Sequence, residues 1–218
     1  MNRPKIIINC AMSADGKIAL PNKKQVRLSS EEDISRMYKL RNDTDAVLVG
    51  IGTILSDNPK LTVKERYIPT PHQPLRVILD GSCQTPHHAL AVNDVAPTII
   101  FTKKGKEKPF PQTNVEVSGC STDSTGLLHL PEVLDVLKTR GVSTLLVEGG
   151  STVIWNFLSQ KLVDDLFIFI SPTIIGGTQT PTVAGGSGVS GADELIPLKI
   201  LSFSPLGNGI LVHYQLIA

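Results

Sequence analysis

The 218-residue chain has little that would mark it for a membrane, a nucleic acid or a metal ion. No apolar run approaches the roughly 20 residues that cross a bilayer, so no membrane partner is expected. Neither sign of charge dominates: 21 Lys and Arg stand against 20 Asp and Glu. That balance does not supply the electropositive surface on which phosphate-backbone binding depends, so no nucleic acid is expected either. Cysteine is scarce and odd in number, with Cys10, Cys83 and Cys120 far apart. There is no C-x-x-C or H-x-E pattern, and the five histidines show no metal-ligand spacing. A structural zinc, a zinc deaminase site and any other metal are therefore not expected. Free thiols in a reducing cytoplasm are the simplest account of the cysteines. The apolar stretch ending at Met12 is interrupted by Asn9 and followed by Asp15 and Lys17 without a small-residue cleavage pattern. It reads as a first strand and not as a signal peptide.

What is present is a core. Hydrophobic residues make up 41% of the chain, and no linker splits it, so one domain over residues 1–218 is expected. The apolar runs are short and rich in Ile and Val. Lys5–Asn9, Ala46–Gly50, Arg76–Asp80, Thr98–Thr102, Val115–Ser118, Thr144–Glu148 and Leu166–Ile170 read as strands covered on both faces. Helical patterns lie between them. Ser29 and Glu32 have capping-box spacing ahead of Ile34, Met37, Tyr38 and Arg41. Pro131 suits a first helical turn before Val133, Leu134 and Leu137, and Ile154, Phe157, Leu158 and Leu162 repeat at helical spacing. Leu198–Phe203 and Ile210–Leu216 flank Pro205-Leu206-Gly207-Asn208-Gly209 as an antiparallel pair. The fold class is α/β with a mixed sheet. Residues 176–191 hold six glycines and read as a long, mobile surface loop. Residues 103–114, with Lys103, Lys104, Lys106 and Lys108, read as a solvated connection.

Four segments place polar groups after a strand end, where open α/β sheets bind ligands. In Glu148-Gly149-Gly150-Ser151-Thr152 a buried strand meets two glycines and a helix start. Such a turn suits a phosphate or pyrophosphate, or else is an ordinary turn with Ser151 as N-cap. Gly50-Ile51-Gly52-Thr53 begins like a dinucleotide fingerprint, but Leu55 occupies the place of the third glycine. It is either a second phosphate- or ribose-contacting turn or a plain tight turn. Asn9, Ala11 and Ser13 alternate along one strand face before the Asp15-Gly16 turn, and a polar face needs structural or ligand partners. The strand ending at Leu79 runs into Asp80-Gly81-Ser82. Other residues read as structural: Trp155 packs under its helix, His87 and His88 are exposed, Arg41 makes a surface ion pair, and Cys10 acts as a small core hydrophobe.

Together these segments resemble the riboflavin-biosynthesis reductase family, which converts a ribosylamino pyrimidine 5′-phosphate to its ribitylamino form. The resemblance runs in order through Asn9–Ala19 (NCAMSADGKIA), Leu28–Asp33 (LSSEED), Leu40–Val63, Leu75–Ser82 (LRVILDGS), Leu145–Asp165 and Pro172–Pro181. It implies a dihydrofolate-reductase-like fold: a mixed, mainly parallel sheet with flanking helices and a C-terminal antiparallel hairpin. It also implies NADPH as hydride donor, a homodimer and a cytoplasmic enzyme. By the family pattern Gly50, Gly52, Thr53 and Asp57 would line the cofactor site, with Asp80, Gly81 and Ser82 near its adenosine. Gly149, Gly150, Ser151 and Thr152 would hold its pyrophosphate. Asn9, Ser13, Asp15 and Glu148 would face nicotinamide and substrate, with Glu148, or alternatively Asp15, as proton donor. Ser30, Arg41, Leu61 and Lys64 would lie toward the substrate phosphate. The bacterial two-domain form carries lysine where this chain has Asn9, arginine where it has Lys64, and a zinc deaminase domain upstream. Asn9 resembles the archaeal and fungal enzymes, which implies 2,5-diamino-6-ribosylamino-4(3H)-pyrimidinone 5′-phosphate as substrate. The alternatives are the deaminated 5-amino-6-ribosylaminouracil 5′-phosphate, another pterin or pyrimidine reduced on the same fold, and a nucleotide-binding module without catalysis.

Overall fold

Each of the apolar runs forms a strand. The structure is a computed structural model that describes residues 3–217. Among them are nine strands and four α-helices in the order β1 (Lys5–Ser13), α1 (Glu31–Asn42), β2 (Ala46–Gly50), α2 (Ile51–Asp57), β3 (Leu75–Leu79), β4 (Thr98–Lys103), β5 (Val115–Cys120), α3 (Leu130–Thr139), β6 (Thr144–Gly149), α4 (Ser151–Ser159), β7 (Asp165–Ser171), β8 (Leu198–Leu206) and β9 (Gly209–Leu216). The chain divides into two compact units. One comprises the residues through Lys5 with Tyr38–Leu146, the other Ile6–Met37 with everything from Val147 onward.

In the first unit β2, β3, β4 and β5 pair in sequence order, all parallel. All five residues of β2 are buried, as are Val77, Ile78, Ile99, Ile100 and Phe101. Strands covered on both faces need no polar alternation, which is why these runs read as continuous apolar stretches. Arg76 is the exception. Its side chain is fully buried, yet its guanidinium donates to the Leu90, Asn93 and Ala96 carbonyls and to Asn93 Oδ1 at 2.7 Å. Burial pulls its pKa down to about 10, because water no longer solvates the charged form. This cation anchors the segment before β4 at the end of β3 opposite Asp80.

In the second unit β1 pairs parallel with β7, which pairs antiparallel with β9, and β9 with β8. The parallel-then-antiparallel pattern is the mixed arrangement the sequence implies, including the closing hairpin. Ile154, Phe157 and Leu158 of α4 are buried, as its spacing requires. Helix α1 begins one residue later than the capping-box reading. Ser30, not Ser29, is the cap: its hydroxyl accepts from Asp33 N at 3.2 Å. Ser30 also outcompetes Ser29 because its carbonyl takes the first helical bond, from Ile34 N.

The glycine-rich segment is the long surface loop expected, with no strand or helix over residues 176–191, and backbone bonds tie it down at several points. The backbone of Ile18 donates to Pro181 O, Gly185 N donates to Ser151 O, and Gly176 N donates to Asp15. A side chain at Gly186 would collide with the Trp155 ring. The glycines here allow close approach of backbone to α4, so Trp155 packs against the loop and stays partly exposed.

Candidate active site

The predicted residues fall at strand ends in both units. In the first unit Gly50 ends β2 and is the N-cap of α2, in extended conformation and with no side-chain cap. A methyl group at Gly52 would meet nothing within 4 Å, so the outer face of this turn is open. Thr53 is partly exposed beside it. At the far end of the helix, Asp57 Oδ1 is buried without a hydrogen-bond partner. Loss of water raises the Asp57 pKa, against a smaller opposing bond from Ser56. A buried acceptor without a donor is an uncommon feature in a folded protein and fits a site awaiting a hydroxyl or N–H donor.

The turn after β3 is built differently. Asp80 is fully buried. Its Oδ2 accepts from Thr85 N and Thr85 Oγ1, both at 2.7 Å. Asp80 therefore braces the 80–85 turn through Oδ2, while its Oδ1, like that of Asp57, is buried without a hydrogen-bond partner. Gly81, under the Lys103 side chain, and the exposed Ser82 remain accessible.

A third group in this unit went partly unread. Arg41 Nη1 donates to Thr62 O at 3.0 Å, and both the Arg41 guanidinium and the Lys64 ammonium lie 5.5 Å from the Tyr38 ring centroid. Tyr67 stacks on Tyr38 at 4.5 Å, with Arg66 over its other neighbourhood at 4.4 Å. Two cations around one aromatic ring make a compact positive site. Arg41 is thus not simply the surface ion-pair residue that its helical spacing suggests. Leu61 is buried at φ +54°, which leaves only its backbone for a ligand. Of the aromatic members, Tyr38 carried no signal because a tyrosine at helical spacing reads as core, and Tyr67 lies in a turn between α2 and β3.

In the second unit Gly149 ends β6 with φ +121°, a conformation that requires glycine. Gly150, joined to it by a cis peptide, is the N-cap of α4, so Ser151 is the first helical residue and not the cap. Gly150 makes no side-chain cap on α4, and Thr152 in its first turn is exposed. Glu148, next to last in β6, is half-buried.

Along β1, Asn9 and Ser13 lie on one face, and both are buried. Ser13 is consumed locally: its hydroxyl donates to Asp15 Oδ1 at 2.6 Å and accepts from Lys17 N. Asp15 also accepts from Ile175 N and Gly176 N at 3.1 and 2.7 Å. These donors, Ser13 foremost, hold its carboxyl at about 2. An anion so strongly held is a poor proton donor at neutral pH. Ser13 and Ser30 likewise spend their hydroxyls on a turn and a helix cap. Arg36, which the sequence reading missed, reaches Asn9. Cys10, on the opposite face, has its thiol pushed up to about 12, chiefly by burial, and is chemically quiet. No group of three or more His, Cys, Asp or Glu among the described residues could hold a metal.

The sequence profile of the family described as RibD C-terminal domain matches residues 4–212. A 2,5-diamino-6-ribosylamino-4(3H)-pyrimidinone 5′-phosphate reductase from Archaeoglobus fulgidus is 38% identical, covering 96% of this chain and 97% of that protein. One of the same name from Methanothermobacter thermautotrophicus is 36% identical, covering 97% and 98%. Among solved structures, a deaminase/5-amino-6-(5-phosphoribosylamino)uracil reductase from Thermotoga maritima superposes with a TM-score of 0.82 at 28% identity. The match covers 99% of this chain and 57% of that longer protein. A profile match over nearly all of the described residues and full-length relatives above 30% identity lead to one conclusion: this chain belongs to the RibD C-terminal domain family of riboflavin-biosynthesis reductases, with their dihydrofolate-reductase-like fold.

Proposed function

We propose that the chain, as a single reductase domain, reduces the ribosylamino group of 2,5-diamino-6-ribosylamino-4(3H)-pyrimidinone 5′-phosphate to ribitylamino, with NADPH as donor. The observation that carries this is the end-to-end match to archaeal reductases of that name. The site chemistry supports it. Arg41 and Lys64 over Tyr38 suit a substrate phosphate, with Lys64 acting as a point charge. Asn9 and Glu148 provide a polar pair for heterocycle and sugar.

The residues also fit a dinucleotide. The uncapped helix start at Gly150-Ser151-Thr152 suits a pyrophosphate, and the open turn at Gly50-Ile51-Gly52-Thr53 admits close backbone approach. The orphaned Asp57 oxygen suits a ribose hydroxyl. Gly81 and Ser82 are assigned to the adenosine side. When bound, the reduced nicotinamide supplies the hydride. The chain's residues prepare the acceptor. Glu148 gives a proton to the ring oxygen of the ribosylamine as the bond from C1′ to that oxygen breaks, leaving a C1′=N iminium for the hydride. Its carboxylate then stands beside the iminium charge, while Asn9 orients the heterocycle.

Purified protein mixed with each pyrimidine, and with dihydrofolate, is followed by NADPH and by NADH absorbance. Turnover of the diaminopyrimidinone with NADPH is expected. Preference for the deaminated uracil compound or for dihydrofolate would overturn the substrate assignment. Glu148→Gln is expected to lower kcat by about 100-fold or more. Unchanged turnover would remove Glu148 from the chemistry.

A homodimer in the cytoplasm completes the proposal. The three cysteines are unpaired. Edge strand β8 exposes Ile200, Leu201 and Phe203, the last 74% exposed, and an edge strand can meet its own copy across a two-fold axis. Sedimentation at twice the 23.5 kDa chain mass is expected.

A further inference from the structure

Arg36 lies mid-helix, after the acidic first turn of α1, and has no role in the scheme above, yet its Nε and Nη2 are both engaged. Its Nε and Nη2 donate to Asp33 Oδ1 at 3.0 and 2.7 Å, and Asp33 is almost wholly buried. The same Nη2 donates to Asn9 Oδ1 at 2.5 Å, across 27 residues of sequence. The guanidinium also lies 5.6 Å over the Phe167 ring. Phe167 is the register partner of Asn9 on β7, and His213 is the register partner of Phe167 on β9. The Phe167 and His213 rings stack at 4.1 Å, and His213 is tied to Asp165 at 2.6 Å. Arg36 therefore rests on a cross-strand row whose members are each fixed by another contact.

An arginine offers only donors, so it can meet only the oxygen of an asparagine amide. The contact sets the amide's orientation: Oδ1 toward Arg36, Nδ2 away from it. Nδ2 has no partner among the described residues. We propose that Arg36 is a positioning residue that fixes Asn9 as a donor-only group. Asn9 then recognises an acceptor on the substrate heterocycle, a carbonyl oxygen or an unprotonated ring nitrogen. This rests on the reading of Asn9 as a substrate-facing residue. Its value is preorganisation: a free asparagine amide can present either end, whereas a clamped one presents only N–H.

The test is a double-mutant cycle on kcat/KM with Asn9→Ala and Arg36→Met. It is run on whichever heterocycle the unaltered protein reduces, so an error in substrate assignment shows in the unaltered protein and leaves the cycle readable. Arg36→Met is expected to lower kcat/KM by about 10- to 100-fold in the presence of Asn9. In the Asn9→Ala background the same change is expected to have little effect. An equal loss in both backgrounds would make Arg36 merely structural and overturn the proposal. If Arg36→Met does not fold, Asn9→Asp serves. It keeps and strengthens the contact with Arg36 but removes the donor, so a stable protein with raised KM is expected. Retained wild-type KM in Asn9→Asp would sink the idea.

Discussion

Two Asp-Gly pairs follow a strand in this chain, and on paper they are the same motif. In the structure they do opposite things. Asp15, partly exposed, accepts backbone bonds from Ile175 and Gly176, 160 and 161 residues away, and so ties the glycine-rich segment to the end of β1. Asp80, fully buried, accepts from Thr85 five residues away and closes its own turn. The following glycines differ as well. Gly16 sits at φ +80° with open space around it, whereas Gly81 has ordinary backbone and lies under Lys103. The lesson is that a turn dipeptide specifies a chain reversal, while the destination of its carboxylate depends on which donors the fold brings near.

The larger expected effect is at the buried turn. Asp80→Ala strands the Thr85 N–H and hydroxyl in the interior. It should cost about 2–4 kcal/mol of stability, read as a fall in urea midpoint at unchanged slope. Intact stability with a raised KM for the nicotinamide cofactor would reverse the comparison and return Asp80 to the ligand. The smaller effect is a pH dependence at the exposed turn. The Asp15 carboxyl sits at about 2 when folded and at about 4 when unfolded. A depressed folded pKa contributes stability above the unfolded value and loses it as pH falls from about 4 toward about 2. Asp15→Asn should therefore flatten the stability curve in that acid range and leave its neutral limb parallel to wild type. An unchanged acid limb would mean that the tie to residues 175–176 contributes nothing.

Much of the fold was legible. Ala46–Gly50 and Thr98–Thr102 had to be buried strands, because continuous Ile and Val runs of that length have no exposed face to spare. Pro131, Gly149 and Gly150 punctuated helices as backbone chemistry dictates. What escaped were features set by partners distant in sequence. The segment 176–191 reads as a surface loop because it lacks apolar side chains, but its anchors at Asp15 and Ser151 lie far from it in sequence. Ser13 looked available to a ligand, and its hydroxyl is spent within its own turn, while Asp80 commits only one carboxylate oxygen, to Thr85. Arg36 drew no reading from the sequence. Its contact with Asn9 requires knowing how α1 lies relative to β1.

The sequence by itself determined the strands and three of the four helices (not α2, whose start reads as a turn), the absence of metal-ligand spacing, and the glycines at the ends of β2 and β6, because these follow from local dihedral preference and hydrophobic period. Only the tertiary structure decided which polar side chains are still free to act. A hydrogen-bonding group is committed by its nearest partners in space, and for Asp15, Arg36 and Asn9 those partners come from segments that the chain's own order keeps far apart.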